Sequence, residues 1–113
     1  MRTLHMLHTL DVEPGEFTST VRNGFKWADL KIGEQIELCV CLPTPQDHVV
    51  SGIGEVTELW FGRFEDIPAR LIANEHEVQS RAYNGLYASM VRAYGETFSA
   101  KSPVTVVGYQ RVK

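Results

Sequence analysis

Ile36-Glu37-Leu38-Cys39-Val40-Cys41-Leu42-Pro43 alternates branched apolar residues with Glu37, Cys39 and Cys41. Successive strand side chains point to opposite faces. A period of two therefore writes a strand that turns Ile36, Leu38, Val40 and Leu42 towards a core. Pro43, which has no N–H to give a ladder, ends it. Working outward, Lys31-Ile32-Gly33-Glu34 is the turn that opens this strand and Pro43–Asp47 the loop that closes it. Val49–Phe61 reads as a second strand, where Gly52 and Gly54 mark a bulge or a close backbone approach.

Beyond Phe61 the period changes. Asp66 is placed to cap a short helix whose first turn tolerates Pro68, with Ile67 and Leu71 four residues apart. A longer helix follows. Tyr83, Leu86, Tyr87, Met90, Val91 and Tyr94 recur at intervals of three and four, and Gly95 stands at the C′ position. The β-branched run Val104–Tyr109 is a closing strand. Towards the N-terminus, the first ten residues read as a strand interrupted by His5 and His8. Asp11–Gly15 is a turn, Phe17–Arg22 a short strand, and Asn23-Gly24 a second turn. Strands, then two helices, then one strand do not alternate as βαβ units do. The expected fold is a single α+β domain over residues 1–113: a small β-barrel or strongly bent mixed sheet with two helices packed on its outside.

Composition bounds the function. With 113 residues, 43% hydrophobic and 22% charged, the chain suits one core and not disorder. No run of about 18 apolar residues is present, and the start lacks a continuous apolar segment, so neither a membrane span nor a secretory signal is expected. A disulfide between Cys39 and Cys41 would be strained, so both read as reduced thiols, and a cytoplasmic setting is expected. His5 and His8 face opposite sides of a strand and have no neighbouring acid-His cluster, so no metal and no cofactor is expected. The net charge of -3 argues against tight non-specific nucleic-acid binding. Locally the balance reverses, because residues 17–32 carry Arg22, Lys26 and Lys31 against only Asp29.

That basic segment holds the candidate chemistry. Parity puts Thr18, Thr20 and Arg22 on one face of their strand and Phe17, Ser19 and Val21 on the other. Phe17 and Val21 are the natural buried pair, which leaves the Thr-Thr-Arg face for polar work. The Arg22 guanidinium offers a planar fork to phosphate or carboxylate, and the Asn23-Gly24 turn can return Lys26 towards it. Trp27 beside Lys26 can stack a base while the lysine meets a phosphate. Plainer readings stand beside these: an Arg22 salt bridge, exposed strand threonines, a core Trp27.

Gly15-Glu16-Phe17-Thr18-Ser19-Thr20-Val21-Arg22 resembles the Gly-x-Lys-Thr-x-Thr-x-Arg segment of ASCH domains, a PUA-like family. Leu30-Lys31-Ile32-Gly33-Glu34 is similar to the family's Val-Gly-Asp turn. The helix ending Ala93-Tyr94-Gly95 and the strand from Val104 match in order and spacing. The resemblance implies a PUA-like barrel with a cleft between barrel and helices, lined on one side by Thr18, Thr20, Arg22, Lys26 and Trp27 and on the other by Gln79 or Arg81. It also implies RNA or nucleotide binding, which the charge requires to be weak and salt-dependent. Some members hydrolyse acetylated cytidine with a lysine, a threonine and a glutamate. Here Thr20 matches the threonine, Phe17 stands at the lysine position, and alignment on the helix brings Gln79 to the glutamate position, with Glu77 two residues away.

Three readings follow: an RNA- or nucleotide-binding module, a small nucleoside amidohydrolase or nuclease, and a protein-interaction accessory domain. No residue is assigned a catalytic role. A threonine hydroxyl is a weak nucleophile without a base, and neither Phe17 nor Gln79 is one. The purified protein is therefore expected not to deacetylate acetylated cytidine in a chromatographic assay. Turnover abolished by Thr20→Ala would contradict this, and Glu77 would be the first residue to test as the base.

Overall fold

The computed structural model describes residues 1–6, 14–41, 48–75 and 80–113. Five strands are present: β1 (Arg2–Met6), β2 (Phe17–Asn23), β3 (Gln35–Cys41), β4 (His48–Arg63) and β5 (Pro103–Arg111). Between β4 and β5 lie a 3₁₀ turn (Phe64–Asp66), helix α1 (Ala69–Ile72) and helix α2 (Tyr83–Tyr94). The strands form one mixed sheet in the order β1-β3-β4-β5-β2. β1 runs parallel to β3 and every other pairing is antiparallel. The sheet is open, with β1 and β2 at its ends, and no ladder joins those two among the described residues.

Two apolar clusters lie on the two faces of the sheet. On one face, Val21, Val104 and Val106 pack under the helices against Leu71, Ile72, Leu86, Met90, Phe64 and Phe98. Phe64 anchors this side, its ring 5.0 Å from Tyr83, 5.7 Å from Tyr87 and 5.2 Å from Phe98. On the other face, Leu4, Leu30, Ile36, Leu38, Val56, Val107 and Tyr109 pack together. No helix belongs to this second cluster, yet all of its strand residues are almost completely buried. The sheet must therefore bend around its own side chains. Register shifts between Leu38 and Cys39 and between Val56 and Glu58 supply local twist for that bend.

Much of the expected patterning holds. Ile36 and Leu38 are buried; the Val40 side chain and Leu42 lie outside the described residues. Cys39 is also buried, so both faces of β3 are covered there. A Cβ on Gly54 would lie 2.9 Å from the Tyr109 ring, which accounts for that glycine as a close approach. Gly95 takes φ 89° and ends α2, its N–H donating to Val91 O at 2.8 Å. No helix is long and apolar enough to cross a membrane.

The first helix departs from expectation. Asp66 does not cap it, because its carboxylate accepts from Arg63 Nε at 3.0 Å. Pro68 explains the split. The residue before a proline is driven out of the helical region, and Ile67 is extended at φ -59°, ψ 128°. The segment therefore breaks into a 3₁₀ turn and a four-residue α1. Arg70 pins α1 to the sheet through two hydrogen bonds to the Glu58 carboxylate, and that pairing holds the Glu58 carboxyl below its usual range.

Leu86 lies 2% exposed at the centre of the helix-side cluster. Leu86→Ala should cost about 2–5 kcal/mol in urea unfolding, the range for a buried leucine truncated to alanine. A loss below about 1 kcal/mol would mean that α2 is not seated as described.

Candidate functional site

β2 is an end strand, and its inner edge pairs with β5. Its outer edge would show bare N–H groups were it not covered by the chain that leaves α1. Ser19 N–H donates to Asn74 O at 2.8 Å, and Val21 N–H donates to Glu75 Oε2 at 3.3 Å. Side chains extend the seam. Thr18 Oγ1 donates to Asn74 O at 2.8 Å, and Ser19 Oγ donates to Leu71 O at 2.5 Å. The last carbonyls of a helix have no partner within it, and those of α1 accept from the amides of residues 73–75 and, at Leu71, from β2 as well. Here β2 hydroxyls and amides bond carbonyls at and just after the end of α1. Arg81 Nε donates to Glu75 O at 2.8 Å and fixes the far end.

The register with β5 places Thr18 opposite Tyr109, Thr20 opposite Val107 and Arg22 opposite Thr105, so these six residues share one face. Thr18 is 2% exposed, Thr20 1% and Tyr109 0%. Two of the hydroxyls on this face are used structurally, since Thr18 bonds Asn74 and Thr105 Oγ1 donates to Gly24 O at 2.8 Å. Two are not. Thr20 Oγ1 and the Tyr109 hydroxyl are buried with no hydrogen-bond partner among the described residues. Burial pushes the Tyr109 phenol well above the usual tyrosine range, and the Glu75 charge pushes it further, while Arg22 and Arg111 pull it back. Tyr109 is therefore a neutral hydroxyl within the fields of an acid and two cations.

The structure brings Thr18, Thr20 and Arg22 together as parity requires. The threonines are buried, which overturns their reading as exposed strand positions. Phe17 does not join Val21 in the core. It is 38% exposed, with its ring lying against Gly108, where a Cβ would meet it at 3.0 Å. As the first residue of β2 it stands at the end of the cluster that buries Val21. Lys26 and Trp27 belong to a second group. The Arg2 guanidinium sits 4.5 Å over the Trp27 ring, pairs with Asp29 at 2.5 Å and donates to Lys26 O at 3.0 Å. Trp27 is half-buried against the second cluster, and Lys26 is exposed with its ammonium 5.8 Å from the indole. Arg81 is exposed and holds Glu75. Gln79 and Glu77 lie outside the described residues.

Sequence reading passed over Glu75 and Tyr109. Glu75 sits in a crowd of acids with no period to single it out, and Tyr109 ends an apolar run that reads simply as strand. The Gly54 signal was the available clue, since a glycine at a close approach implies a large neighbour. Among the described residues, no group of three or more His, Cys, Asp or Glu is placed to hold a metal.

No family model matches the chain, and no curated protein does. The fold is similar to the crystal structure of an ASCH domain from Lactobacillus crispatus, with a TM-score of 0.53 and 14% sequence identity. The alignment covers 87% of this chain and 65% of that one. At that identity the likeness establishes an ASCH-like fold and nothing finer.

The buried phenol yields a pH test. A group whose folded pKa is raised stabilises the fold fully below its unfolded value, near 10.0, and loses that contribution as pH rises through the folded value. Urea unfolding should therefore show stability falling above about pH 10, and Tyr109→Phe should flatten that fall. At pH 8 the variant should be as stable as the parent or more so, because it removes a hydroxyl with no partner. An unchanged alkaline slope would show that Tyr109 is not the buried group described.

Proposed function

We propose that this ASCH-like fold is a binding module for a nucleotide or a short RNA, taken up at the Thr20–Tyr109–Arg22 face beside Glu75. The carrying observation is the pair of buried hydroxyls, Thr20 Oγ1 and Tyr109 OH, left without partners on one face. A buried polar group lacking a hydrogen bond costs about 1–3 kcal/mol, so two together favour a ligand that supplies the missing bonds. The edge of a nucleobase presents donors and acceptors side by side. A threonine hydroxyl serves either role, a neutral phenol donates, a carboxylate accepts, and a guanidinium meets phosphate or carbonyl oxygen. With a net charge of -3, affinity for RNA rests on a local patch and falls with salt. A reducing, cytoplasmic setting belongs to the same proposal.

Hydrolysis is the less supported reading. A nucleophilic threonine needs a base within hydrogen-bond reach, and Thr20 Oγ1 has no such partner among the described residues. The accessory-domain reading asks for a face filled by Phe17 and Trp27, whereas Phe17 lies on the opposite side of β2.

Thr20→Val and Arg22→Ala test the proposal by calorimetric titration with the four ribonucleoside monophosphates at low and moderate salt. Thr20→Val should weaken binding by up to about tenfold while stability stays within about 0.5 kcal/mol of the parent. Arg22→Ala should weaken it and reduce its salt dependence. A Thr20→Val variant that binds normally but loses more than about 1 kcal/mol of stability would make the hydroxyl structural and end the proposal.

A further inference from the structure

Phe25 and Phe61 are 53% and 57% exposed, and their rings touch edge to face with centroids 6.2 Å apart. Scattered exposed apolar residues are ordinary, but these two form a pair held on rigid supports. Phe61 is in β4, in the stretch beyond the β3 ladder, where it is paired with β5 and stands opposite Thr105. Phe25 follows the turn at Gly24, where the backbone takes φ 76°, its N–H donates to Pro103 O at 2.8 Å and its carbonyl accepts from Thr105 Oγ1. Phe25 O in turn accepts from Ala28 N–H at 3.0 Å. The same Thr105 lies opposite Arg22, so Phe61, Thr105 and Arg22 make one row across three strands on the face that carries Thr20 and Tyr109.

Strand spacing puts Phe61 about 10 Å from Arg22 along that row, and the row lies one side-chain step, about 7 Å, from the row of Thr20. We infer that Phe25 and Phe61 form a stacking platform for a second base, so that the ligand is a single-stranded RNA of at least two nucleotides and not a mononucleotide. This rests on the nucleotide-binding reading of the Thr20–Tyr109 face. Every base has an aromatic face, and stacking on exposed rings beside cations is how single strands are held without a sequence code. Charge complementarity fits that occupant. Lys26, next after Phe25, is exposed and makes no ion pair among the described residues, and Arg22 lies in the same row as Phe61. The phosphate joining two bases would meet positive charge there. Thr105 opposite Phe61 and Lys26 next to Phe25 are polar, which suits a nucleic acid better than an apolar protein surface.

The test compares a mixed-sequence RNA hexamer with the four ribonucleoside monophosphates on the intact protein, by fluorescence anisotropy and calorimetry. The hexamer should bind at least about tenfold tighter than any monophosphate. Phe61→Ala and Phe25→Ala should each remove most of that gain while leaving monophosphate binding at its parental value. Phe61→Leu keeps the apolar area without the ring and should lose the gain as well, with thermal unfolding confirming that the fold persists. Equal affinity for hexamer and monophosphates, or an alanine effect reproduced on monophosphates, would overturn the platform while leaving the nucleotide site intact. Failure of every probe to bind would remove both. Concentration-dependent self-association abolished by Phe61→Ala would assign the pair to a protein interface instead.

Discussion

The seam between the outer edge of β2 and residues 71–75 is the contact on which the rest depends. An open sheet edge exposes a row of N–H groups, and natural folds cover such edges or blunt them. Here the cover is a backbone carbonyl from Asn74 and a carboxylate from Glu75, reinforced by two hydroxyl bonds to Leu71 and Asn74. The arrangement brings a 3% exposed glutamate to the strand that carries Thr20. A buried carboxylate is costly unless its oxygens accept hydrogen bonds, so the Val21 N–H helps to keep it there. The seam thus closes the sheet edge and sets an acid beside the candidate site.

The site gains precision from the elements that carry it. β5 is buried on both faces from Val104 to Tyr109, with the helix-side cluster on one side and the self-enclosed cluster on the other. Tyr109 and Thr20 stand on that doubly packed pair of strands, so neither side chain can move without disturbing a core. Arg2, Trp27 and Asp29 perform a related service at the other end of the sheet, tying β1 to the segment between β2 and β3. Trp27 is committed to that clasp, and the exposed rings of Phe25 and Phe61 are left for surface contact.

Legibility in the sequence followed the range of the physics. Period-two and helical stripes are local, and they identified Ile36 and Leu38 in the core and α2 with its glycine stop. Strand parity is also local, and it placed Thr18, Thr20 and Arg22 on one face. What failed depended on distant partners. The burial of the two threonines comes from residues more than fifty positions away in the chain, and the displacement of Phe17 comes from Gly108 on a strand that had not been paired. The short α1 was readable in principle, because Pro68 forbids its predecessor a helical conformation. A cap at Asp66 outweighed that signal, although Arg63 claims the carboxylate. Glu75 carried no local mark at all.

The most direct measurement is native-state amide hydrogen exchange at Ser19 and Val21 in the parent and in Glu75→Ala, with β5 amides as the internal reference. If the seam holds the edge and the site together, the Val21 amide should lose at least about tenfold protection in the variant, corresponding to about 1.4 kcal/mol of local opening. Ser19 should follow to a smaller degree, while the β5 amides keep their protection. Unchanged exchange at Val21 in Glu75→Ala would contradict the account, since the carboxylate would then not hold that edge.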